Sequence, residues 1–182
     1  MTEEGFHDFI QKFAFINGTF VTDPIRKSYT FITHQFVHGD FTHIIGNVWY
    51  LWIFGKGVEA KLGSMKFLLF FLFSGVFSCM SQLIVMPNLS APLLGASGSI
   101  SGILGAYFVF FPKAKIATWL PPFTLWWTIK IRAILFLGLW ITYQFVIGYH
   151  SLGVLSSMEV NTAWWAHIGG FLFGLFFALN IK

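Results

Sequence analysis

Charge is scarce in this chain. Only 10% of its 182 residues are charged, and 56% are hydrophobic. A soluble globular domain carries about 25% charged residues, so an ordinary water-soluble domain is excluded and a single membrane-embedded one is expected. Cysteine is nearly absent too. Cys79 stands alone inside an apolar run, so no internal disulfide can form, and it reads as a small core residue. No basic region precedes an apolar stretch at the start, where Glu3, Glu4 and Asp8 stand instead, and no cleavable signal peptide is expected. The net charge of +4 is spread between apolar runs rather than gathered in a patch, which argues against nucleic acid as a partner. What the chain has in abundance is aromatic, 24 Phe and 8 Trp, as suits rings facing lipid and its interface.

Mixed polar sequence is confined to residues 1–40. There Phe6, Phe9, Ile10, Phe13 and Phe15 predict a short amphipathic helix lying on the membrane surface, broken by Asn17-Gly18. Five apolar segments follow, at 41–60, 65–86, 97–112, 131–149 and 162–181. The expected fold is therefore all-α: a polytopic membrane helical bundle with five transmembrane helices. Residues 1–40 would form an N-terminal interfacial or loop segment and residues 41–182 the transmembrane domain. The second and fifth segments can each cross about 30 Å of hydrocarbon unaided. The third is short and stops at Pro112. A short helix entered from a loop at membrane depth is tolerated only where protein or a water-filled cavity surrounds it.

Basic residues give the orientation. Lys56, Lys61, Lys66, Lys113, Lys115, Lys130, Arg132 and Lys182 follow the first segment, lie around the loop between the third and fourth, or end the chain. Those ends belong in the cytoplasm. Lys130 and Arg132 read as interface residues with extended stems, and His150 as a loop residue. The first, third and fifth segments then run inward. The N-terminus and residues 5–16 lie along the outer interface, since Asp8, Gln11 and Lys12 interrupt any crossing.

On this layout Ser97, in Gly95-Ala96-Ser97-Gly98, begins one inward segment, and His167, in Ala166-His167-Ile168-Gly169-Gly170, sits near the head of another. Both lie toward the outer face at similar depth. Polar groups at membrane depth are functional candidates by default, and a hydroxyl with an imidazole can perform covalent acyl transfer. Gly98 and Gly102, like Gly170 and Gly174, are four apart, the spacing that lets helix backbones pack closely in lipid. His43 and Asn47 are also four apart, so they share a face of the first segment and could hydrogen-bond a developing oxyanion. A metal site built from His34, His38 and His43 is a rival reading. Only Asp40 could add to that set, and a glycine-containing turn at 38–40 separates the ligands. No metal and no cofactor are expected.

The motifs His34-x3-His38-x4-His43-x3-Asn47, Phe54-Gly55-x2-Val58-Glu59-x2-Leu62-Gly63, Gly95-x-Ser97-Gly98 and Ala166-His167-x-Gly169-Gly170 stand in this order. Over residues 29–180 the chain resembles the rhomboid intramembrane serine proteases. The resemblance implies that Ser97 is the nucleophile and His167 the general base. His43 and Asn47 would be the oxyanion-stabilising side chains, helped by the backbone amide of Ser97. It also implies membrane-anchored protein substrates cut in or near a transmembrane helix, and a multi-pass protein of the cell or inner membrane with its active site toward the outer face. The family dyad has no acidic third member, and here Glu159 is the only carboxylate after residue 59. Glu59 is expected to hold the inner end of the first segment.

The family core has six spans. The chain lacks a counterpart of the first, so either a truncated product or a five-span variant is expected. Tyr29 and Thr30 stand where some bacterial members have Trp-Arg, and Ser101 stands where a tyrosine packs on the catalytic histidine. Two alternatives remain at this point. One is a catalytically inactive rhomboid-like protein that binds transmembrane clients. The other is a channel or transporter subunit, which would carry polar residues through the full depth of a span. The oligomeric state, the substrate and the cleavage preference are not encoded legibly.

Overall fold

The computed structural model describes residues 2–119, 128–153 and 163–182. Residues 120–127 and 154–162, Glu159 among them, lie outside the described residues. The expected surface helix is present as α1 (Glu3–Phe13), opened by the Thr2 hydroxyl accepting from Gly5 N–H. It ends earlier than Asn17-Gly18. Ala14, Phe15 and Ile16 are buried instead, and Phe15 exchanges backbone hydrogen bonds of 2.9 and 2.7 Å with Leu93. Asn17 does not break a helix; it begins α2 (Asn17–Thr22). Its buried amide donates to the Gln82 and Met86 carbonyls at 3.3 and 2.7 Å. These belong to the last turn and C-cap of α7 (Ser64–Val85), where the Gln82 carbonyl also accepts from Met86 N–H at 2.9 Å and the Met86 carbonyl from Leu89 N–H at 3.1 Å. Two short helices, α3 (Pro24–Lys27) and α4 (Thr30–Thr33), and a 3-10 turn (His34–Phe36) complete the N-terminal segment.

Among the described residues three helices are long and apolar enough to cross a membrane: α7, α9 (Ala133–Gly153) and α10 (Trp164–Ile181). The other two expected spans take different forms. Residues 41–62 run without a break through α5 (Phe41–Tyr50), a π-helical stretch (Leu51–Gly55) and α6 (Lys56–Leu62). Glu59 accepts a 2.7 Å hydrogen bond from the Ser64 hydroxyl. The third expected span is α8 (Ser97–Phe110), only 14 residues long.

The all-α expectation needs a correction. Strands β1 (Lys115–Trp119) and β2 (Thr128–Arg132) form an antiparallel pair, with Lys115 opposite Arg132. Ile116, Thr118, Ile129 and Ile131 alternate there with Lys115, Ala117, Lys130 and Arg132, a period of two that suits a strand. Lys130 and Arg132, read from the sequence as interface residues, are exposed residues of this strand, and the fourth apolar segment, expected from 131, becomes helical only at Ala133. Helix α9 begins after them and runs beyond residue 149, so that His150 is an exposed helical residue.

Helix α8 lies at the centre, between α7 and α10, and protein buries most of its length. That is the environment a short helix at membrane depth requires. The contact is made by glycine. A methyl on Gly170 would overlap the Gly98 carbonyl, one on Gly174 the Gly102 carbonyl, and one on Gly105 the Phe171 carbonyl. The pairs read from the sequence therefore face each other, backbone on backbone. On the other flank, Ser74 and Ser78 of α7 pack against Gly102 and Gly98. Each serine returns its hydroxyl proton to its own helix, to the Phe70 and Gly75 carbonyls at 2.7 and 2.8 Å, so neither hydroxyl is stranded in the interior.

Gly174→Ala should therefore destabilise the fold, by about 1–3 kcal/mol or more for overpacking against rigid backbone. Gly138→Ala in α9, where the nearest atom to an added methyl is 3.9 Å away, should be neutral. Thermal unfolding in detergent compares them, and equal effects would contradict the backbone contact.

Candidate active site

Ser97 is the first residue of α8 and His167 the fourth of α10. The glycine contact between those helices holds their first turns side by side. The Ser97 hydroxyl meets His167 Nε2 at 2.9 Å, and the other ring nitrogen, Nδ1, meets Gln144 Oε1 of α9 at 2.9 Å. The expected agreement in depth is thus a direct hydrogen bond. As α8 begins at Ser97, the N–H groups of its first turn have no partner within the helix.

His43 and Asn47 share one face of α5, as their spacing predicts. Asp40 caps this helix by accepting from His43 N–H at 2.8 Å. Its carboxyl is held below its ordinary range by the Thr42 hydroxyl first and the His43 N–H second. Both side chains converge on Gly95, two residues before Ser97. A methyl there would lie 2.6 Å from His43 Nε2 and 3.3 Å from Asn47 Nδ2. Gly95 also has φ +102°, the left-handed region that favours glycine. Asn47 Nδ2 is buried without a hydrogen-bond partner in the described structure. Ser97, His167, His43 and Asn47 all line one cavity of about 630 Å³, which Ala91–Leu94 and Trp140 also line. The arrangement offers a hydroxyl with a base on it, and beside them an unsatisfied amide donor.

The three histidines of the rival metal reading do not converge. His34 is buried away from the other two. Its Nδ1–H donates to the Thr30 carbonyl at 2.9 Å, and its Nε2 faces Cys79 Sγ at 3.3 Å. Its backbone carbonyl accepts from Gly95 N–H at 2.9 Å, which fixes the loop before Ser97. His38 and His43 stand edge to face, 5.1 Å between ring centroids. Burial, then the neighbouring His43, hold His38 below the ordinary histidine value. Among the described residues no group of three or more His, Cys, Asp or Glu side chains is placed to hold a metal ion.

The sequence reading missed Gln144, Trp140 and Trp164. The Trp140 ring lies 6.1 Å from the His167 ring, and Trp164 meets the same ring edge-on at 6.5 Å. Tryptophans thus flank the imidazole where some members use a tyrosine. Ser101, at that tyrosine's position, instead donates back to the Ser97 carbonyl at 2.7 Å. A lone glutamine inside a long apolar run was the available signal for Gln144.

A family model for the Rhomboid domain matches residues 26–181. The chain is 27% identical over 179 residues to "Rhomboid protein 1, mitochondrial" of Saccharomyces cerevisiae, covering 96% of this chain and 46% of that protein. It is 37% identical over 75 residues to "Rhomboid-like protein 11, chloroplastic" of Arabidopsis thaliana, covering 41% of this chain and 26% of that protein. A third match, also 37% identical over 75 residues, is to "Rhomboid protease GluP" of Bacillus subtilis, covering 41% and 14%. The chain spans less than half the length of each of these relatives.

One pH dependence follows from His34. Burial pushes it from 6.5 down to about 4. As pH falls through that window the unfolded chain binds a proton that the folded chain does not, so stability is lost from about 6.5 toward about 4. The Tm measured against pH in detergent should fall across this range, and His34→Gln should flatten the slope. An equally steep slope in His34→Gln would contradict the assignment.

Proposed function

This chain belongs to the rhomboid family, and on that premise we propose that it is an intramembrane serine endopeptidase. It cuts membrane-anchored proteins within or near a transmembrane helix, through an acyl-enzyme. The observation that carries this reading is the 2.9 Å hydrogen bond from Ser97 Oγ to His167 Nε2, in a cavity that also holds the free Asn47 amide.

The chemistry runs as follows. Ser97 Oγ attacks the scissile carbonyl while its proton passes to His167 Nε2. The oxyanion forms beside Gly95, where Asn47 Nδ2, His43 Nε2 and the Ser97 N–H can donate to it. As the intermediate collapses, His167 gives the proton to the leaving amine. Water, activated by the same base, then hydrolyses the acyl-enzyme. The chain crosses the bilayer five times, with residues 41–62 and the short α8 as two of the passes. The basic residues after the first pass, around the hairpin and at the C-terminus face the cytoplasm, and the site opens toward the outer face. Residues 1–40 lie at that outer surface, ahead of the transmembrane domain. The partners are the bilayer itself and single-span protein substrates.

Ser97→Ala and His167→Ala should each abolish cleavage of a model single-span substrate in detergent. The double variant should be little worse than either, since nucleophile and base act as one unit. Asn47→Ala should lower kcat by roughly 10²–10³ with a smaller change in KM. Cleavage by Ser97→Ala at the wild-type rate would exclude the protease reading, and binding of such a substrate without cleavage by the wild type would favour an inactive client-binding protein.

Topology has its own test. With Cys79 replaced by alanine, a membrane-impermeant thiol reagent applied to intact cells should label Glu3→Cys and leave Lys182→Cys unlabelled. Protection of both positions would contradict five passes.

A further inference from the structure

Helix α9 supplies neither the hydroxyl nor the imidazole of the site. It nevertheless presents two side chains, four residues apart on one face, that both meet His167. Trp140 lies beside the ring, 6.1 Å between centroids, and Gln144 Oε1 lies 2.9 Å from Nδ1. Gln144 is 4% exposed, whereas its neighbours Tyr143, Phe145 and Val146 are 55%, 41% and 48% exposed. The amide is therefore turned inward while the residues around it face outward. A primary amide in an apolar span is costly unless it is hydrogen-bonded, and here its partner is the imidazole.

We propose that Gln144 is a positioning residue for His167, a neutral third member behind the Ser97–His167 pair. The proposal rests on the serine-protease reading of that pair. A neutral imidazole carries one N–H, and only the Nδ1–H tautomer leaves the Nε2 lone pair free to take the serine proton. An acceptor fixed at Nδ1 selects that tautomer and sets the plane of the ring. When Nε2 becomes protonated, the same carbonyl dipole faces the imidazolium. A carboxylate could do this more strongly, but it would have to stay ionised in a low-dielectric interior at a cost of several kcal/mol. An amide orients the base without adding a charge. Because Gln144 stands on α9, the correct tautomer also depends on a helix that carries no other polar contact to the pair among the described residues.

The test uses the full chain in detergent micelles. Histidine ring nitrogens labelled with ¹⁵N report the tautomer, and His167→Ala assigns the signal. A fluorophosphonate probe reports reactivity: Ser97 Oγ forms a bond to phosphorus, the P–F bond breaks, fluoride leaves and the proton goes to Nε2. Wild-type His167 should be the Nδ1–H tautomer. In Gln144→Leu, of similar volume, the signal should become a tautomer mixture. Labelling of Ser97 should slow by about tenfold or more, since loss of a tautomer-fixing carboxylate elsewhere costs ~10⁴. Gln144→Glu should recover both signatures at pH values where the introduced carboxyl is ionised, since only the carboxylate is purely an acceptor at Nδ1. Wild-type His167 found as the Nε2–H tautomer would overturn the proposal, with no variant needed. So would Gln144→Leu labelled at the wild-type rate with an unchanged tautomer. Failure of the protease reading looks different: wild type and Ser97→Ala would react alike with the probe, whatever the tautomer of His167.

Discussion

The whole site depends on how closely two helix backbones approach. Gly98 and Gly102 of α8 rest against Gly170 and Gly174 of α10, and no side-chain atom fits between the carbonyls and the facing α-carbons. In lipid there is no hydrophobic force to bring apolar helices together, so packing of this kind, with its many weak contacts, must hold them. Ser97 directly precedes the first of these glycines, and His167 lies three residues before Gly170. Side chains on adjacent turns of helices packed this tightly can reach each other across about 3 Å. The glycine pairs and the polar pair are thus one structural device: the first sets the distance, and the second occupies it.

The remaining parts of the fold serve the loop that enters α8. Gly95 must adopt a left-handed φ and leave room for His43 and Asn47, so the backbone before Ser97 cannot be left to wander. It is tied twice. The His34 carbonyl takes Gly95 N–H, and Phe15 pairs with Leu93. Both anchors come from the N-terminal segment, whose polar composition first suggested a peripheral role. Asn17 extends the same logic by capping α7, and Gln82 of α7 in turn accepts from the Ala166 N–H next to His167. A buried polar chain therefore joins the N-terminal segment to both halves of the site.

What was legible in the sequence was local. Ser97, His167, the glycine pairs and the His43/Asn47 face each lie in a motif a few residues long, and spacing on a helix carries the geometry within each motif. What was not legible depended on distant partners. Gln144 has its partner 23 residues away on another helix, and nothing in its neighbourhood announces this. Asn17-Gly18 reads as a breaker by turn chemistry, but the Asn17 amide donates to two carbonyls at the end of α7, 65 and 69 residues away, and Asn17 itself starts a helix. The hairpin was hidden by the basic residues of 113–132, which read first as a cytoplasmic end, although the alternation of Ile129 and Ile131 was visible. The π-helical stretch at Leu51–Gly55 has no composition signal at all. It splits what hydropathy alone treats as one rod.

The central claim is that glycine contact between α8 and α10 sets the reactivity of Ser97. Its most direct measurement is the rate of fluorophosphonate labelling of Ser97 in Gly174→Ala, alongside helix content by circular dichroism. Position 174 is two turns from His167 and lines no part of the cavity. The account predicts that labelling falls steeply while helix content is kept, because the helices persist but no longer meet at hydrogen-bonding distance. Labelling at the wild-type rate, with the alanine in place and the protein folded, would contradict it.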